Sequence, residues 1–176
     1  PLIGHALASG ADLDPARVIV VTGHGADAVD KAVADLAPEA VCVRQDQQLG
    51  TGHAVLQAAG ALDGFHGDAI VLYGDTPFIS ADTLHAMRAA RARFDLVVLG
   101  FEAADPGRYG RLILDGETLV KIVEAKDATP SELAVTTCNS GLMAMDAATM
   151  MRLLARVGND NASGEYYLTD LPALAA

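Results

Sequence analysis

Four short runs rich in β-branched residues, Val18-Ile19-Val20-Val21, Val41-Cys42-Val43, Ala69-Ile70-Val71-Leu72-Tyr73 and Leu96-Val97-Val98-Leu99-Gly100-Phe101, alternate with segments whose apolar residues recur at helical spacing. Runs this short, apolar at successive positions, are the pattern of strands covered on both faces. Between them Val29, Ala32, Val33 and Leu36, then Ala54, Val55, Ala58 and Ala59, then Leu84 and Met87 mark helix faces, and Ser80 stands where it can cap the third. Such βαβα alternation predicts a doubly wound α/β fold with a mostly parallel sheet, whose ligands bind beyond the carboxyl ends of the strands. After residue 101 the texture changes. Arg111 to Leu114 and Thr118 to Val123 flank Asp115-Gly116, a pair suited to a hairpin turn, so a small antiparallel insertion is expected. Asn139 to Met145 returns as a core strand, and Asp146 can cap a last helix through Met150, Leu153 and Leu154.

Composition limits what such a fold can serve. With 51% hydrophobic residues spread along 176 positions, a sizeable core is available and residues 1–176 read as a single domain segment. A net charge of −11 argues against a surface that neutralises a nucleic-acid backbone. No apolar run reaches the ~18 to 20 residues of a membrane-spanning helix, so no membrane partner is expected. Cys42 and Cys138 each sit inside an apolar run and read as reduced thiols, which fits a cytoplasmic protein. Pro1 leads directly into an amphipathic stretch and Leu171 to Ala176 stops inside an apolar pattern, so the chain is expected to be an internal segment of a longer protein.

Several residues invite chemistry, each with a plainer alternative. Asp75 follows the strand Ala69 to Tyr73, at the edge where ligands bind. A lone carboxylate there suits Mg²⁺, which keeps most of its water, and an aspartate bonded to its own turn is the alternative. Leu49-Gly50-Thr51-Gly52-His53 offers backbone N–H groups at a helix start, suited to an acceptor-rich ligand or merely to glycine-assisted helix entry. Gln45 and Gln48 carry amides able to read a nucleobase edge or to face solvent. Glu124 and Asn139 could pair with sugar hydroxyls and an amide, or serve structure alone. Gly164-Glu165-Tyr166-Tyr167-Leu168-Thr169-Asp170 reads equally as a helix-entry box. No serine, histidine and acid fall in nucleophile-elbow order, so covalent catalysis is not indicated.

Taken in order, Gln45, Leu49-Gly50-Thr51-Gly52-His53-Ala54, Tyr73-Gly74-Asp75-Thr76-Pro77, Tyr109-Gly110-Arg111, Ile122 to Ala128, Asn139-Ser140-Gly141 and Gly164-Glu165-Tyr166-Tyr167 resemble one family. It is the pyrophosphorylase domain of the bifunctional bacterial enzyme that makes UDP-N-acetylglucosamine, a precursor of peptidoglycan and lipopolysaccharide. The resemblance implies a Rossmann-like nucleotidyltransferase fold in which Gln45, Gly50 and Thr51 hold the uracil. Tyr73 and Gly74 would line the sugar-nucleotide site, with Asp75 as the magnesium aspartate. Gly110, Glu124, Asn139 and Tyr167 would grip the N-acetylglucosamine moiety.

The implied reaction joins UTP and N-acetylglucosamine 1-phosphate to give UDP-N-acetylglucosamine and pyrophosphate, with Mg²⁺ as cofactor and no protein nucleophile. Several departures stand beside it. The family's first strand and its glycine-rich loop, with an arginine and a lysine that meet the triphosphate, have no counterpart here. Nor does the asparagine that completes the metal site, or the β-helix domain through which the parent would form a homotrimer. Negligible turnover is therefore expected of the isolated chain, and a pyrophosphate-release assay checks it; parent-like activity refutes it. Two other readings stay open: a nucleotidyltransferase of different base or sugar preference, and a non-catalytic sugar-nucleotide binding or regulatory module. Serine at position 140, where the family commonly has threonine, is expected to be a mild change.

Overall fold

The computed structural model describes residues 2–76 and 79–176. Pro1, which leads into the amphipathic stretch, and Pro77, the end of the expected Gly74–Pro77 turn, lie outside the described residues. The elements run α1 (Leu2–Ala11), β1 (Ile19–Thr22), α2 (Ala26–Leu36), β2 (Val41–Arg44), α3 (Thr51–Leu56), a 3-10 segment (Gln57–Leu62) and β3 (Asp68–Val71). Then follow α4 (Ala81–Ala90), β4 (Leu96–Glu102), the hairpin β5 (Arg111–Asp115) and β6 (Thr118–Val123), α5 (Pro130–Leu133), β7 (Thr137–Asp146) and α6 (Ala147–Leu154). A 3-10 turn (Leu168–Asp170) leads into α7 (Leu171–Ala175).

Sheet polarity corrects the reading from alternation. β1 and β2 pair in parallel as expected, but the other sheet has five strands whose ladders are all antiparallel among the described residues. β3 and β4 point the same way, as a β-helix-β unit requires, yet they share no ladder among the described residues. The long strand β7 lies between them, pairing Ile70 with Ala144 on one side and Val97 with the same Ala144 on the other. Local sequence cannot reveal a strand inserted from more than thirty residues downstream.

β7 also explains where the core sits. Because side chains alternate across a strand, Leu142 and Ala144 face α4, where Leu84 and Met87 meet them, while Met143 and Met145 face α6 and pack on Met150, Leu153 and Leu154. Both faces are covered, so four successive apolar residues are buried at once. Full burial of a leucine or methionine is worth about 1.5 to 3 kcal/mol, so this strand anchors the three layers. Ser80 caps α4 by accepting from the Thr83 N–H, and Asp146 caps α6 by accepting from the Thr149 N–H, both as expected. Both cysteines are free thiols, Cys138 fully buried in β7.

Two boundaries differ from expectation. The hairpin turns at 116 and 117, one residue later than Asp115-Gly116, with Asp115 paired to Thr118 and Gly116 at φ +59°. β3 stops at Val71 rather than Tyr73, because β7 breaks its ladder there. Val98 pairs with Met143 and Gly100 with Asn139, so Ser140, Gly141 and Leu142 face Leu99 alone, a pronounced bulge. The Ser140 hydroxyl supports it, donating to the Leu99 carbonyl and accepting from the Leu142 N–H. Threonine would supply the same hydroxyl, in keeping with the expectation of a mild change.

Candidate active site

Beyond the end of β3, the bulge of β7 and the start of the hairpin open a cleft of about 250 Å³. Thr51, Tyr73, Asp75, Gly110, Glu124 and Asn139, all singled out in the sequence, line it together. Thr76, Arg108, Tyr109, Ser140, Gly141 and Thr169 complete the wall. A second cleft of about 220 Å³ shares Glu124 and Thr169 with the first and adds Asp127, Asp160, Asn161, Tyr167 and Asp170. Tyr167 therefore belongs to the adjoining space, on the far side of the Glu124 carboxylate. Gly74 is exposed between Tyr73 and Asp75, while Gln45 and Gly50 stand behind Thr51 rather than in the cleft wall.

Gln45 is buried, and its amide N–H groups reach the Gly50 carbonyl at 3.1 Å and His53 Nδ1 at 2.9 Å. It braces the loop. His53 is held between Gln45 and Gln57, consistent with a partly buried structural histidine. The expectation of several open backbone donors is corrected at Gly52, whose N–H donates to the Tyr166 carbonyl at 2.8 Å. The bond is returned when the Tyr166 N–H donates to the Leu49 carbonyl at 2.8 Å, and the Leu168 N–H donates to Thr51 Oγ1 across 117 positions of sequence. The Leu49–His53 run and the Gly164–Asp170 box thus form one unit. Neither glycine nor tyrosine composition signals that pairing.

Tyr73 lies on Gly141, whose positive φ of +92° turns the chain away from the ring. Burial pushes the Tyr73 phenol up, Thr51 opposes the shift through a hydrogen bond, and the charges of Glu124 and Asp75 add to it. Asn139 Oδ1 accepts from the Gly141 N–H at 3.0 Å and the Asn139 N–H donates to the Gly110 carbonyl at 2.8 Å, so hairpin and bulge are locked together. Thr169, which sequence reasoning did not single out by itself, is 5% exposed and donates its hydroxyl to Glu124 Oε1 at 2.9 Å.

Glu124 is held above the usual carboxylate range chiefly by burial, with the Thr169 hydrogen bond opposing and Asp127, Asp170 and Glu165 adding to the shift. The folded chain therefore binds this proton more tightly than the unfolded chain does, so the contribution to stability is fully present below the unfolded carboxyl's pKa and is lost as pH rises through the raised one. Glu124→Gln keeps an acceptor for Thr169 and removes this loss. Its Tm is expected to exceed that of the parent sequence at pH 7 and to match it near pH 4, measured by thermal unfolding at both values.

For a divalent cation the donor set is oxygen. Among the described residues no group of three acids, histidines or cysteines converges, which excludes an all-protein cage there. Asp75 is exposed in the cleft. The turn after β3 is closed by Thr76, whose N–H and hydroxyl both reach the Tyr73 carbonyl, and no hydrogen bond among the described residues ties up the Asp75 carboxylate. One uncommitted carboxylate facing open space fits Mg²⁺, which takes one or two protein carboxylates and fills its sphere with water and phosphate oxygens.

Comparison with known proteins gives the lineage. The family described as the MobA-like NTP transferase domain matches residues 1–160. The chain is 66% identical over 175 residues to the bifunctional protein GlmU of Jannaschia sp. (strain CCS1), covering 99% of this chain and 38% of that protein. It is 70% identical over 171 residues to the bifunctional protein GlmU of Dinoroseobacter shibae, covering 97% of this chain and 38% of that protein. It thus spans less than half the length of these curated relatives. A solved structure of UDP-glucose pyrophosphorylase complexed with UDP-glucose superposes with a TM-score of 0.76 at 17% identity, over 97% of this chain and 72% of that one, which establishes the nucleotidyltransferase fold. No helix among the described residues is long and apolar enough to cross a membrane.

Proposed function

The chain belongs to the MobA-like NTP transferase domain family, and on that premise we propose that it forms the base, sugar and metal side of a uridylyltransferase site. The reaction proposed for the full-length protein converts UTP and N-acetylglucosamine 1-phosphate into UDP-N-acetylglucosamine and pyrophosphate. The observation that carries this reading is convergence: Thr51, Tyr73, Asp75, Gly110, Glu124 and Asn139 come from separate stretches of sequence and line one cleft.

In this reading a phosphate oxygen of the sugar 1-phosphate attacks the α-phosphorus of UTP, the new P–O bond forms, and the bond to the β-phosphate oxygen breaks as pyrophosphate leaves. No side chain enters a covalent bond. Such transfers are accelerated mainly by positioning and by stabilising charge on the phosphate oxygens. Thr51 faces the base, with Gly50 behind it shaping the loop and Gln45 bracing that loop by donating to the Gly50 carbonyl. Glu124, fixed by Thr169, accepts from the sugar side, while Asn139 offers both donor and acceptor. Tyr167 bounds the neighbouring space. Asp75, beside Gly74, would hold Mg²⁺, which supplies Lewis-acid stabilisation of phosphate oxygens.

Pyrophosphate release by the full-length protein tests this, using UTP, CTP and GTP against N-acetylglucosamine 1-phosphate and glucose 1-phosphate, with and without a chelator. The uridine and N-acetylglucosamine pair is expected to exceed every other pair in kcat/KM by about tenfold or more, and chelation to abolish turnover. Equal rates with another nucleotide would reassign the base. Tight UDP-sugar binding without turnover would reassign the protein as a binding module.

A further inference from the structure

The two clefts are lined by the carboxylates of Asp75, Glu124, Asp127, Asp160 and Asp170, in a chain of net charge −11. A phosphorylated ligand entering such a space is repelled unless a cation answers it. Among the described residues one basic side chain lines either cleft, that of Arg108. Its side chain is exposed and has no hydrogen bond or ion pair among the described residues. The backbone beneath it is fixed. Buried Arg111, 3% exposed, donates to the carbonyls of Tyr109 and Gly107, the residues on either side of Arg108, and reaches the Leu133 carbonyl at 3.5 Å. The Gly107 N–H donates to Asp105 Oδ1 at 3.2 Å, the Tyr109 N–H to the Pro106 carbonyl at 3.0 Å, and the Tyr109 ring sits edge-on to Phe101 at 4.9 Å.

A pinned backbone spares the loop the cost of ordering when a ligand arrives, and the planar fork of a guanidinium matches phosphate oxygens. Arg108 is two residues from Gly110, whose carbonyl is tied to the Asn139 N–H, so it stands at the end of the cleft assigned above to the sugar rather than the base. We propose that Arg108 is a substrate-contacting residue that binds the phosphate of the sugar 1-phosphate, with Arg111 as the positioning residue that sets its loop. This rests on the reading of the cleft given under the proposed function.

The test is steady-state kinetics of full-length wild type, Arg108→Gln and Arg108→Lys, varying each substrate against saturating partner. Arg108→Gln is expected to raise KM for the sugar phosphate by about 10- to 100-fold, the loss of one charge-assisted contact, with KM for UTP changed less than about twofold. Arg108→Lys, which keeps the charge and loses the fork, should fall between. Because the side chain is exposed, all three proteins should share one Tm. A sugar-phosphate KM within about threefold of wild type in Arg108→Gln, or an equal rise in both KM values, overturns the assignment while leaving the proposed function standing. A wild type that turns over neither substrate and binds no sugar phosphate overturns both together.

Discussion

Asp75→Asn in the full-length protein is expected to lower nucleotidyl transfer by on the order of 10²- to 10³-fold, the scale of removing one charge-stabilising group from a transfer site. The asparagine keeps the size and loses the charge that would hold a divalent cation. Stability should barely change, because the side chain is exposed and no hydrogen bond among the described residues depends on it; surface changes of this kind stay within about 0.5 kcal/mol. That separation makes the variant informative. Equal melting curves with collapsed turnover, and a metal requirement shifted to higher concentration, support the metal role. Turnover within about tenfold of wild type would remove Asp75 from the chemistry and favour its plainer role as a turn residue.

Much of the fold is legible in the sequence because burial on both faces leaves a local trace. β1, β2, β4 and the centre of β7 read as short apolar runs, and Ser80 and Asp146 announce the helices they cap. Strand order leaves no such trace. The insertion of β7 between β3 and β4 is decided by contacts far apart in the chain, so alternation alone overstated the parallel sheet. The same distinction runs through the site. Asp75, Glu124 and Asn139 are visible because each stands at the end or start of a strand, and their motifs also resemble a known family. Their grouping around one cleft needed the bulge at Ser140 to Leu142, which no propensity encodes. Thr169 and Arg111 were silent for another reason. Each is polar and buried, and only its neighbours in the folded chain show that one holds the Glu124 carboxylate and the other the Arg108 loop.

Gly50→Ala is expected to damage stability and uridine binding together, and the cause can be isolated. A Cβ at position 50 would stand 2.5 Å from the Tyr166 carbonyl oxygen and 2.8 Å from its nitrogen, and both are backbone atoms that no rotamer can move aside. At φ +113° and ψ 174° the residue also occupies a region that is nearly glycine's alone. Strain and overpacking together predict a loss of about 2 to 4 kcal/mol, seen as a Tm lowered by roughly 5 to 15 °C. The relief available is for the 165–168 segment to move off the loop. That would break the reciprocal bonds from Gly52 to Tyr166 and from Tyr166 to Leu49, and free the Leu168 N–H from Thr51. Thr51 would then lose its fixed place beside Tyr73, so affinity for a uridine diphosphate sugar should fall by about 100-fold or more even well below the lowered Tm. Gly116→Ala provides the control, since φ is +59° there and no atom lies near an added Cβ. It should cost about 1 to 2 kcal/mol, the left-handed penalty alone, and leave binding intact. If the two variants lose the same stability and neither loses affinity, the contact with Tyr166 does not hold the base-binding loop, and Gly50 is only a permissive helix start.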